Sequence, residues 1–177
     1  MKKILAIILT LILCLSLAGC KSELGEVQEG VFEGDGFSLS VPSGWYRNDN
    51  QKGALAFLPE GYNKSNHSYI SVSWTSENRL DTIELYEESL KKELANQYES
   101  TLGENATYTI ANFERSEYEG KECYYVLSYF VKEGLAFKQE QYTFDTSFGS
   151  VTISYVLADG ESFATAFENS KKSIILK

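Results

Sequence analysis

The sequence predicts an α+β fold, an antiparallel β-sheet covered by helices on both faces. Three observations carry this reading. Apolar residues alternate with period two through most of the chain, the period changes to 3.6 over residues 81–102, and four closely linked strands then lead into a second amphipathic helix. Two such helices are enough to close the two faces of one sheet.

The folded part begins at Gly36, where Phe37, Leu39 and Val41 alternate with Ser38 and Ser40 before Pro42 stops the run. Pro42, Ser43 and Gly44 make a turn, and Trp45 and Tyr46 open a short second strand. Residues 48–53 read as a turn, 54–58 as a strand and 59–68 as a polar loop. In residues 69–75, Ile70, Val72 and Trp74 share one face of a strand.

The helix of residues 81–102 starts with Asp81 as N-cap and Glu84 three residues on. Ile83, Tyr86, Leu90, Leu94, Tyr98 and Leu102 form its apolar stripe. Glu87 with Lys91 and Glu88 with Lys92 are i,i+4 pairs on its polar side. Strands at 106–117, 121–131, 135–144 and 150–157 follow with short links, which implies an antiparallel meander. In the second of these, Cys123, Tyr125, Leu127, Tyr129 and Val131 face one way and Tyr124, Val126, Ser128 and Phe130 the other. Both faces are largely apolar, so both should be covered. A helix at 160–174, capped by Asp159, closes the chain, with Phe163, Phe167, Ser170 and Ile174 on its inner side.

Ahead of this domain lies a leader in the physical order of an export signal: Lys2 and Lys3, an apolar run over 4–18, then small residues. It ends Leu17-Ala18-Gly19-Cys20, which resembles a bacterial lipobox. That resemblance implies a signal peptide at 1–19 and a diacylglycerol on Cys20, two acyl chains at one residue and therefore a stable anchor. It places the chain on the extracytoplasmic face of the cell membrane. Residues 20–35 read as the lipidated cysteine and an acidic flexible tether, and 36–177 as a single domain.

Losing Lys2 and Lys3 with the leader leaves 14 basic against 25 acidic residues, a net charge of −11. That charge excludes electrostatic binding of nucleic acid and leaves lipid, not a basic patch, as the hold on the membrane. Cys123 is alone in the processed chain, so no intrachain disulfide forms. His67 is the sole histidine and lies in a polar loop, so the chain offers no histidine-based catalytic or metal site, and no cofactor is implied.

Phe37 to Trp45, reading FSLSVPSGW, and Phe167 to Ile175, reading FENSKKSII, resemble the PsbP-like fold shared with the Mog1 proteins. The resemblance implies an α/β/α sandwich over nearly all of 36–177. It also implies a role in binding and assembly, since PsbP proteins assist the oxygen-evolving complex and Mog1 proteins bind a small GTPase. No functional residue of either family maps onto this chain. The expectation is a non-enzymatic module that binds an envelope protein, with Trp45, Tyr46 and Tyr62 rimming the binding surface. The alternative is a small-ligand binder with a pocket of about 300 Å³ or more between sheet and helix.

Overall fold

The computed structural model describes residues 27–51, 54–102 and 107–177. The leader and Cys20 lie outside the described residues. Chain order runs β1 (Val27–Gln28), β2 (Val31–Gly34), β3 (Phe37–Ser40), β4 (Trp45–Gln51), β5 (Ala54–Leu58) and β6 (Tyr69–Thr75). Helices α1 (Leu80–Leu85) and α2 (Glu87–Leu102) precede β7 (Thr107–Tyr118), β8 (Lys121–Lys132), β9 (Leu135–Thr146) and β10 (Gly149–Ala158). Helix α3 (Ala164–Lys172) and β11 (Ile175–Leu176) end it.

An antiparallel sheet in the order β1-β4-β5-β6-β10-β9-β8-β7 forms the body, and a smaller sheet, β11-β3-β2, packs beside it. The expected helical cover on both faces is therefore corrected. Helices α1 and α2 cover one face, burying Leu80, Ile83, Leu90, Leu94 and Tyr98 against Tyr108, Tyr124 and Phe130. The other face is covered mainly by the small sheet, whose Phe32, Phe37 and Leu39 pack with Phe57, Ile70, Phe144 and Ile153. The short α3 adds Phe167 to that core. The fold is mostly antiparallel strand. The reason is non-local: the alternation of residues 37–41 does mark a strand, but its partners are Val31–Gly34 and Ile175–Leu176, too short to register as strands alone.

Part of the span read as tether is thus strand, because Val27 and Gln28 pair with Tyr46 and Trp45 and Val31–Gly34 pairs with β3. The turn expected at 48–53 is replaced by the continuation of β4 to Gln51, with a register shift between Asn48 and Gln51. The long helix is interrupted at Tyr86, whose φ of −115° and ψ of 18° leave the helical range. Its start is fixed from elsewhere: the Asp145 carboxylate accepts from the backbone N–H of Arg79 at 2.9 Å and of Leu80 at 3.4 Å. Asp81 is thereby released from capping and pairs with Arg115 at 3.0 Å. The last helix begins at Ala164, after Glu161 turns back to the 59–68 loop, where its carboxylate accepts from the N–H of His67 at 2.6 Å and of Ser68 at 3.0 Å. His67, in that polar loop, is half-buried with Nδ1 3.4 Å from Glu161.

Gly149 opens β10 at φ 120°, and a Cβ there would stand 2.0 Å from the Thr75 carbonyl oxygen. Gly149→Ala is expected to lower unfolding free energy by about 1–3 kcal/mol, read from urea midpoints. An unchanged midpoint would contradict the close approach of β10 to the end of β6.

Candidate functional site

Among the described residues, the small sheet and α3 leave one end of the main sheet's outer face uncovered. There the pairing of β8 with β9 sets Tyr129 beside Lys138 and Val131 beside Ala136, while β7 contributes Thr107 opposite Val131 and Thr109 opposite Tyr129. Leu157 of β10 stands opposite Lys138. With the Asp159–Glu161 segment these residues enclose an open cleft of about 450 Å³. Its walls are mostly apolar, and Tyr129 is 46% exposed. Expected cover of both β8 faces is corrected here: Tyr129 stands exposed and Leu127 and Val131 only half-buried beyond the reach of α3.

Polar groups meet the cleft at its margin. Lys138 Nζ lies 2.9 Å from Glu140 Oε1, and Glu140 Oε2 lies 2.6 Å from Nζ of Lys171, a buried lysine that also pairs with Glu168. Burial alone would raise the Glu140 carboxyl, but hydrogen bonds from Lys171 and Lys138 outweigh it and hold it below the usual carboxylate range. Burial alone would lower Lys171, and the two carboxylates outweigh that and raise it. The Lys171 ammonium also sits 5.7 Å from the centre of the Tyr155 ring. Glu161, at the cleft's other wall, already commits both oxygens to loop amides.

Of the residues expected to bind, Cys20 lies outside the described residues. Trp45 does not rim a surface: it is 3% exposed and meets Phe163 and Phe167 edge-on at ring distances of 5.2 and 5.8 Å. The Pro42 to Gly44 turn delivers it inward because a residue that starts a strand against a covering helix gains most by burying its ring. Tyr46 and Tyr62 are half-buried, and Tyr62 packs edge-on against Tyr69 at 6.1 Å. None of the three lines the cleft. Tyr129, Val131, Lys138 and Leu157 were the residues to find. No local signal marked them, because the sequence pattern allows a helix over 160–174 and only the fold shortens it to the nine residues of α3, leaving the end of the 12-residue β8 uncovered.

Cys123 is fully buried, and burial first, then the Glu122 charge, pushes its thiol up to about 11, away from nucleophilic use. Among the described residues no group of three or more His, Cys, Asp or Glu side chains converges as a metal site, and no helix is long and apolar enough to cross a membrane.

Comparison with known families matches residues 27–154 to the PsbP family. Among solved structures, the chain is similar to the solution structure of cyanobacterial PsbP (CyanoP) from Synechocystis sp. PCC 6803. The TM-score is 0.62 at 13% identity, over 90% of this chain and 98% of that one. It is also similar to a crystal structure of a Bacteroides thetaiotaomicron VPI-5482 protein, with a TM-score of 0.52 at 19% identity over 85% of this chain and 49% of that one. At such identities the likeness is one of fold. Comparison with curated protein sequences finds no match.

Proposed function

The chain belongs to the PsbP family, and on that premise we propose that it is a membrane-anchored extracytoplasmic lipoprotein acting as a non-enzymatic protein-binding or assembly module. The observation that carries the reading is the open, mostly apolar cleft around Tyr129. The lipid on Cys20 holds the chain at the extracytoplasmic face of the cell membrane, and the partner is another envelope protein.

Chain geometry supports this arrangement. Only the six residues 21–26 separate Cys20 from Val27, a reach of about 20 Å when extended. Val27 pairs with Tyr46, Tyr46 with Leu58, and across the sheet Tyr69 pairs with Val156, Leu157 with Lys138 and Val131 with Thr107. Val27 and Gln28 thus sit level with the cleft but on the edge of the sheet opposite β7, and the short spacer of residues 21–26 keeps the domain close to its lipid. A second reading, a small amphipathic ligand in the same cleft, draws on its volume of about 450 Å³.

Two results are expected in cells. Cys20→Ala moves the protein from the membrane fraction to the soluble extracytoplasmic fraction, read by fractionation and immunoblot. A variant that stayed with the membrane would remove the lipid from the account. Crosslinking followed by mass spectrometry enriches an envelope protein with the anchored chain, and Tyr129→Ala abolishes that enrichment with Tm unchanged. Enrichment indifferent to Tyr129→Ala would rule out the cleft, and native mass spectrometry showing a bound small molecule instead would favour the second reading.

A further inference from the structure

Beside the cleft, the main sheet ends in an edge strand. Among the described residues β7 is the last strand in the order and pairs only with β8, so alternate backbone N–H and C=O groups along it point away from the sheet. Its first four residues, Thr107 to Ile110, precede the register shift between Ile110 and Asn112. This segment has a concavity on each side. Thr107 and Thr109 belong to the apolar cleft on the outer face. Tyr108, Thr109 and Ile110 form the floor of a groove of about 390 Å³ on the helix side, walled by Glu88, Lys91, Lys92 and Ala95 of α2.

We propose that the edge of β7 at residues 107–110 takes an extended segment of a partner protein as an added strand, in which apolar side chains alternate with acidic ones. Successive side chains of an added strand point to opposite faces. Those falling beside Thr107 and Thr109 enter the apolar cleft against Tyr129, and those falling beside Tyr108 and Ile110 enter the α2 groove. Two lysines outnumber the one glutamate there, in a processed chain whose net charge is −11. Glu87, the helical neighbour that the spacing offers Lys91, instead accepts a hydrogen bond from the Tyr124 hydroxyl. Main-chain bonds supply affinity and the two concavities read the alternate side chains.

The inference deepens the binding-module reading and rests on it, but the two fail separately, since the test needs neither the cell nor the lipid attachment. Full-length chain in detergent micelles is titrated with a fluorescein-labelled octapeptide alternating valine and glutamate, followed by anisotropy and amide hydrogen exchange. The expected results are saturable binding, slowed exchange within residues 107–110, and weakening of at least about tenfold both in Lys91→Glu/Lys92→Glu and in Tyr129→Ala. A valine–lysine octapeptide should bind at least about tenfold more weakly to the unmutated chain. Circular dichroism confirms that both variants fold. Absence of binding, equal binding of the two peptides, protection elsewhere than at 107–110, or binding that survives either variant overturns the proposal.

Discussion

Trp45→Ala is expected to lower the unfolding free energy by about 3–5 kcal/mol, a fall in Tm of roughly 6–20 °C for a domain of this size. Trp45 lies where β4 leaves the Pro42 to Gly44 turn, and its ring closes the seam between the main sheet and α3 through edge-on contacts with Phe163 and Phe167. Phe167 in turn reaches Tyr155 at 5.5 Å, so the truncation opens a cavity bounded by rings on two elements that cannot collapse without moving α3. Trp45→Phe should recover most of the loss because it keeps an aromatic edge in the seam. Thermal unfolding followed by circular dichroism separates these outcomes. A Trp45→Ala protein of unchanged Tm that lost its envelope partner would instead return Trp45 to a binding surface.

That contrast marks where sequence reasoning works and where it stops. Local patterns were legible: β6 to β10 and the stripe Ile83, Leu90, Leu94 and Tyr98 lie close to where period and turn residues put them. What depended on distant partners was not. Nothing near Asp81 reveals that Asp145 caps Arg79 and Leu80, and nothing near Phe37 reveals that Leu176 pairs with it. The candidate site was illegible for the same reason, since a cleft is made by absent cover. Tyr129 and Tyr125 are equivalent in the alternation of β8, and only the length and placement of α3 leave one exposed and the other half-buried. Trp45 defeats a local reading because an aromatic next to a turn has the same local sequence whether its ring points in or out.

Glu140→Gln is expected to destabilise the chain by about 3 kcal/mol near neutral pH. The Lys171 side chain is 3% exposed, and removing the Glu140 charge leaves its ammonium to Glu168, which is 53% exposed and a weaker partner in water. Replacing both charges, as in Glu140→Leu/Lys171→Met, should come out milder than Glu140→Gln, because no buried charge is then stranded. The pH dependence distinguishes a lost ion pair from lost packing. Glu140 titrates below its ordinary 4.5 in the fold, so its stabilisation is complete above that value and drains away as pH falls through the folded value. Lys171 titrates above its ordinary 10.5, so its share is complete below that pH and drains away as pH rises through its folded value. The gap between wild type and Glu140→Gln in urea midpoint should therefore be flat from about pH 5 to pH 10 and narrow on the acid side. A gap that persisted unchanged at pH 2 would mean that the Glu140→Gln substitution acts through shape and not through charge, and the Lys171–Glu140 pair would lose its place as the electrostatic tie between α3 and the sheet.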